Sequence, residues 1–423
     1  MQLLSVVSEP LKLFSMHYYE LYALLKNNFP ETGTQSVIPE LGIEIKRYIF
    51  ESREAALFLS GSDQLQCNTH ELGFPEDCRK GYNKESDIGL SDFEIRCNQS
   101  FSYYIIKSAE PDRAKGFILF FHGLNEKRWD KYLPWAYELA RQTGKAIILF
   151  PIAFHMDRAP EDWSDKHRML EIARNRAMQY PENSTSSSFI NAAISSRLEY
   201  FPQRLFWSGL QTYADVVQLI GSIRDNKVPE IDPGATVDLF GYSIGAFFAS
   251  ILKMANPSDY FREARLFCFC GGMTIDRMFP VSKYIMDASA AIAMQRSYAE
   301  LLSSNFATDK RLAHFQNWEH HPEEAWFKTM LRYNYFLKER EALLRNLSPQ
   351  IKALVLKQDE VAPPVEALNT LKGGYRDIPI EVIVDDYSYP YSHMNPFSLV
   401  HKYKQEVDAA FYRFAGIAAA FLK

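Results

Sequence analysis

From residue 101 onward, short apolar runs alternate with amphipathic stretches of helical period. The runs cover residues 102–106, 116–121, 146–152, 237–240, 264–270, 353–357 and 380–384. Helical patterns lie between and after them, notably over 132–142, 210–224, 246–254 and 397–421. Strand-length runs separated by helix-length segments predict βα units and a mostly parallel sheet, so the expected fold class is α/β. Two connections are too long for a simple crossover, at about 155–207 and 275–349. Both are polar and aromatic, with Trp163, Trp207, Trp318 and Trp326 among them, and both read as insertions that form a helical cap. The serine-rich patch at 184–188 reads as a mobile loop of the first insertion.

Before residue 101 the pattern is weaker. Residues 8–29, rich in Leu, Tyr and Phe, predict a helix, and the stretch up to about 100 mixes short strands with turn-rich segments. The expected organisation is an N-terminal extension over 1–100 and a core with cap insertions over 101–423. No internal repeat is found.

Composition narrows the class. At 423 residues, with 47% apolar and 23% charged positions, the chain can bury a large core and is neither fibrous nor of disordered type. Lys and Arg number 47 against 52 Asp and Glu, a formal charge of -5, with the signs interspersed. Nucleic-acid binding is therefore not expected, because it calls for a basic face. No apolar run reaches the length of a membrane span, and the start MQLLSVVSEPLKLF lacks a basic segment followed by a long apolar one. Five cysteines, an odd number in a long chain, argue against a disulfide framework and for a reducing cytoplasm. Cys268 and Cys270 read as small buried hydrophobes. Export would instead allow Cys67 to pair with Cys78, and Asn98 and Asn183 to act as glycosylation acceptors.

The segment TVDLFGYSIGAFFASILKMA holds Gly241-Tyr242-Ser243-Ile244-Gly245, a G-x-S-x-G pattern between an apolar strand and an Ala-rich helix. That setting presents a serine hydroxyl on a sharp strand-to-helix turn. On these residues the chain resembles the α/β-hydrolase superfamily, over roughly 101–423 with the insertions set aside. The run ending in His122-Gly123-Leu124-Asn125 is similar to the superfamily's His-Gly turn. The resemblance implies an oxyanion hole made by the backbone amides of Leu124 and Ile244, with His122 orienting the loop.

The superfamily's chain order is nucleophile, acid, histidine. After Ser243 come His314, His320 and His321 in the second insertion, His393 in the loop following the last strand, and His401 in the terminal helix. His393 is thus the expected general base. Asp359, four residues before Pro363 and just past a strand, is the expected acid, with Glu360 and Asp276 as weaker candidates. Asp385 and Asp386 read as solvated turn residues. No His, Cys, Asp or Glu spacing suggests a metal site, His320 and His321 being adjacent, and no phosphate or dinucleotide loop is found, so no cofactor is expected. The implied activity is a serine hydrolase, most simply one cleaving carboxylic esters of small molecules through an acyl-enzyme. An acyltransferase or peptidase would use the same residues, and a non-catalytic binding protein could keep the same fold. The aromatic residues of the insertions are equally suited to line a substrate pocket or to fill a core.

Overall fold

The computed structural model describes residues 16–74, 88 and 91–423. The strands among these residues are β1 (Gln35–Ile38), β2 (Ile43–Glu51), β3 (Gln66–Cys67), β4 (Leu72–Gly73), β5 (Ser100–Ser108), β6 (Ala114–Phe121), β7 (Ala146–Leu149), β8 (Ile231–Tyr242), β9 (Leu266–Phe269), β10 (Ile351–Leu356) and β11 (Glu381–Asp385). Nine of them form one sheet in the order β1-β2-β5-β7-β6-β8-β9-β10-β11, and β3 with β4 makes a separate hairpin. From β7 to β11 all neighbours are parallel, whereas β5, β2 and β1 continue the sheet antiparallel. The fold is α/β, a mostly parallel sheet with helices on both faces. Each of the seven apolar runs supplies a strand of this sheet.

The helices are α1 (Tyr18–Asn27), α2 (Ala55–Phe58), α3 (Leu133–Thr143), α4 (Lys166–Gln179), α5 (Ala192–Tyr200), α6 (Arg204–Arg224), α7 (Ile244–Ala255), α8 (Ala288–Ser303), α9 (Lys310–Phe315), α10 (Leu337–Leu347), α11 (Pro364–Leu371) and α12 (Lys404–Leu422). Parallel strands need both faces covered, which is why β6 runs without alternation through its buried apolar stretch from Phe117 to Phe121. Its Phe117, Leu119 and Phe121 point into the core shared with α6 and α7, while Ile118 and Phe120 point to the opposite face, packed by α3 and α12. The helix expected over 397–421 starts only at Lys404. Phe397 instead turns into the core against Trp135 and Phe411, so the chain bends there before the helix begins.

Part of the N-terminal extension joins the main sheet, because β2 pairs with β5 from Ile43↔Ser108 to Glu51↔Ser100. Its sequence IEIKRYIFE buries Ile43, Ile45 and Phe50 but keeps charges in between, so it lacks the continuous apolar signature of a central strand. α1 lies within the helix expected over 8–29, of which residues 8–15 fall outside the described residues, and it packs on α3 and α12. No helix among the described residues is long and apolar enough to cross a membrane.

The two insertions meet each other. α5 packs on α8, and Arg176 of α4 donates to both carboxylate oxygens of Asp287 at 2.6 and 2.7 Å. The serine-rich patch is held within this contact: the Ser186 hydroxyl accepts from the Ala288 amide at 3.1 Å, and the Ser187 hydroxyl donates to the Ala173 carbonyl at 3.2 Å.

Candidate active site

β8 ends at Tyr242 and α7 starts at Ile244, which leaves Ser243 alone to make the turn. It does so at φ 58° and ψ -120°, a conformation costly for a residue with a side chain. The flanking glycines make this turn sterically possible. A Cβ on Gly241 would lie 2.5 Å from the Ala246 backbone, and one on Gly245 would lie 2.5 Å from the Phe121 carbonyl oxygen. β8 and α7 can therefore approach each other and β6 only because both positions are bare.

The loop after β11 brings His393 over this turn. Its Nε2 lies 2.7 Å from Ser243 Oγ, and its Nδ1 lies 2.7 Å from Asp359 Oδ2. Asp359, just beyond β10, accepts from the Val361 and Ala362 amides at 2.9 and 2.8 Å through its other oxygen. That pattern fixes the carboxylate and assigns the imidazole proton to Nδ1, so that Nε2 can accept from the serine. All three side chains are buried. The weaker acid candidates are engaged elsewhere or face the cleft. Asp276 accepts from the Thr274 hydroxyl at 2.7 Å and the Tyr333 amide at 3.0 Å, and Glu360 lines the cleft wall. Asp385 pairs with Arg413 at 2.6 Å, and Asp386 accepts from Tyr391 at 2.9 Å.

Leu124 and Ile244 both flank Ser243 at the cleft floor. Ile244 opens α7, so its N–H is one of the donors that a helix start leaves without an intrahelical partner. The Leu124 loop is tightly held. The Gly123 amide donates to the Tyr132 hydroxyl at 2.9 Å, and the Asn125 amide group donates to carbonyls of both insertions, Ile190 at 3.1 Å and Tyr284 at 2.7 Å. His122 accepts from the Ile152 amide at Nε2, 3.0 Å, and contacts the Gly123 carbonyl through Nδ1 at 2.8 Å. Burial holds it well below the usual histidine range, so it stays neutral and braces the loop.

Two residues of the site carried no signal of their own in the sequence. The Tyr242 hydroxyl donates to the His393 carbonyl, and its ring stacks on the imidazole at 5.4 Å. Asn125 was read only as part of the His-Gly turn, and its contacts are long-range.

Above Ser243 opens a cleft of about 860 Å³. Its walls include Met278, Phe279, Ile285, Met286, Met294 and Tyr298, all from the second insertion. The first insertion flanks a much smaller cavity of about 50 Å³ beside Leu124, lined by Phe154 and Trp163. The aromatic residues of the insertions, equally suited to a pocket or a core, divide between the two. Trp207 is buried in α6, Trp318 packs edge-on against Trp326 at 4.9 Å, and the cleft wall is mainly aliphatic and methionine-rich.

A group of residues that no local spacing suggested converges elsewhere in the fold. Cys67 and His70 of the β3–β4 hairpin converge with His314 of α9 and His321 just after it, their ligand atoms all within 4.8 Å of one another. The two halves are some 240 residues apart in sequence, so no spacing rule could join them. Cys67 thus faces imidazoles, and Cys78 lies outside the described residues.

A model of a family described as a family of unknown function (DUF6051) matches residues 16–423. No curated protein matches the sequence. Among solved structures the chain is similar to a thermostable esterase from Pseudomonas putida, at 14% identity and a TM-score of 0.42, covering 77% of this chain and 80% of that one. It is also similar to a carboxyl esterase from the mycorrhizal fungus Tuber melanosporum, at 13% identity and TM-score 0.39, covering 75% and 81%. A third is a hyperthermophilic esterase from the archaeon Pyrobaculum calidifontis, at 13% identity and TM-score 0.38, covering 75% and 79%.

Proposed function

The chain belongs to the family of unknown function DUF6051, and we propose that it is a serine hydrolase of the α/β-hydrolase superfamily that cleaves carboxylic esters. The observation that carries this reading is His393 bridging Ser243 Oγ and Asp359 at 2.7 Å on each side, at the floor of an apolar cleft. Ser243 attacks the ester carbonyl while His393 takes its proton, and Asp359 holds the ring and stabilises the imidazolium. The Leu124 and Ile244 amides receive the oxyanion. His393 then returns the proton to the leaving alcohol, and water, deprotonated by the same imidazole, releases the acid.

The cleft favours an ester with an apolar acyl group over a peptide. Its walls offer methionine and aliphatic surface, which adapts to a flexible hydrocarbon but supplies few partners for a peptide backbone. In this reading the second insertion selects the substrate and the first buttresses it through the α5–α8 contact. The test is a panel of aryl esters of increasing acyl length, each run against Ser243→Ala. Serine-dependent hydrolysis with kcat/KM rising from acetyl to medium acyl chains is expected. Turnover of a peptide substrate but of no ester would overturn the ester assignment.

A further inference from the structure

Among residues that do not line the cleft, three short-range contacts tie one sulfur and three imidazoles together. Cys67 Sγ lies 3.3 Å from His70 Nδ1 and 3.3 Å from His321 Nε2, and His321 Nε2 lies 3.1 Å from His314 Nε2. Tetrahedral zinc bonded to sulfur at about 2.3 Å and to nitrogen at about 2.05 Å sets its ligand atoms about 3.3–3.6 Å apart. The observed separations, 3.1 Å to at most 4.8 Å, close onto such an ion with shifts on the order of an ångström or less.

The chemistry of the group points the same way. His321 Nδ1 faces the Glu324 carboxylate at 3.3 Å, which claims the ring proton and leaves Nε2 with its lone pair turned inward. A carboxylate behind a ligating imidazole is the usual outer support of a zinc histidine. Phe315 and Phe74 close the surroundings, with ring centroids 4.6 Å from His321 and 5.5 Å from His314 respectively. Cys67, His314 and His321 are buried, and His70 is exposed at the rim.

We propose that Cys67, His70, His314 and His321 form a structural zinc site that fastens the β3–β4 hairpin to the second insertion. One thiolate with three imidazoles suits zinc, and four protein ligands leave no open position for chemistry. The chain on either side of the hairpin already rests on this region, since the Arg311 guanidinium donates to the Leu57 carbonyl of α2 at 2.7 Å, Phe58 of α2 packs on Phe315, and Phe74 just after β4 packs on His314 and Phe315. The ion locks that contact and so steadies the insertion whose own helix α8 lines the cleft. None of its ligands lines the cleft, so the site stands or falls apart from the hydrolase reading.

The test is elemental analysis of the full chain, purified without chelator under reducing conditions, followed by replacement of the native metal with cobalt. One zinc per chain is expected. The cobalt protein should show the intense ligand-field absorption of a tetrahedral site and a thiolate-to-cobalt charge-transfer band. Cys67→Ser should remove the charge-transfer band and His70→Ala should weaken retention of the metal, whereas His320→Ala, which changes a neighbouring exposed imidazole, should leave both intact. If the wild-type chain, as purified and after incubation with zinc, retains no stoichiometric metal on dialysis, the proposal fails. It fails equally if cobalt bound to the wild-type chain lacks the charge-transfer band, a spectrum that depends on no variant folding, or if Cys67→Ser keeps the band.

Discussion

The imidazole of His393 and the imidazoles gathered at Cys67 meet opposite neighbours. At Ser243 the ring of His393 stands between a carboxylate and a hydroxyl, each on its own nitrogen, so one proton can move along a line from serine to histidine while the negative aspartate stabilises the product. At Cys67 the imidazoles of His70, His314 and His321 face one another and a sulfur, and His321 Nε2 lies within reach of two of these groups at once. Lone pairs brought together in this way repel unless a cation sits among them, and protonating one ring raises the repulsion on the others. Burial alone therefore does not make a histidine a base or a ligand. The groups it is buried against decide which.

The sharpest way to break this contrast is to remove the proton relay. Ser243→Ala or His393→Ala should each lower ester turnover on the order of 10⁶-fold, and the double variant should be scarcely worse, because the residues act as one unit. Asp359→Asn should cost on the order of 10⁴-fold by presenting the wrong tautomer. Steady-state kinetics on one activated ester checks all four proteins.

Removing the metal should act on stability instead. At free zinc about a thousandfold above Kd, binding contributes about 4 kcal/mol to the native state, so a strong chelator should lower Tm in a zinc-dependent manner while Ser243 keeps its reactivity below the new Tm. Differential scanning calorimetry with and without chelator measures it.

A third histidine sharpens the comparison because it has neither a carboxylate nor a metal-ligand partner. His155 contacts the Ala153 carbonyl through Nδ1 at 2.9 Å, its Nε2 is buried without a partner, and burial pushes it down to about 4. Unfolded, it takes up a proton near 6.5. Between those values the unfolded chain binds more protons, so the His155 contribution is intact above about 6.5 and is lost as pH falls toward 4, by up to about 3 kcal/mol. Denaturant unfolding at a series of pH values should show His155→Gln losing less stability than the wild type over that window.

The smallest effect concerns the cleft. Ile292 lines it and is half exposed at its mouth. Ile292→Glu should lower kcat/KM for a medium-chain ester roughly tenfold, about 1.4 kcal/mol, by placing a charge where the acyl chain enters, and should leave an acetyl ester nearly unaffected.

What could be read from the sequence follows how locally each part is encoded. The G-x-S-x-G turn is contiguous, and its glycines are dictated by contacts between adjacent elements, so Ser243 and Ile244 could be named at once. Asp359 and His393 needed the superfamily's chain order, which the resemblance implied, together with their places just beyond strands, since the sheet gathers those ends. β2 was missed because its charged positions interrupt the apolar run, although the antiparallel edge of a sheet tolerates such alternation. Tyr242, Asn125 and the Cys67 cluster act through contacts 100 to 250 residues away, which neither period nor spacing records. The split between the insertions was likewise invisible: both are polar and aromatic in sequence, and only the fold turns the methionine-rich face of the second one toward Ser243.

The central claim is that Ser243 is an activated nucleophile, and labelling with a fluorophosphonate tests it most directly. Such a probe imitates an acyl substrate and is captured by a serine whose proton is taken by a positioned base and whose developing charge meets an oxyanion hole. Intact-mass analysis of the native chain should show one adduct per molecule, with peptide mapping locating it on Ser243. The adduct should be absent in Ser243→Ala and form far more slowly in His393→Ala. A folded native chain that takes up no probe, or one that is labelled equally well after Ser243→Ala, would contradict the account.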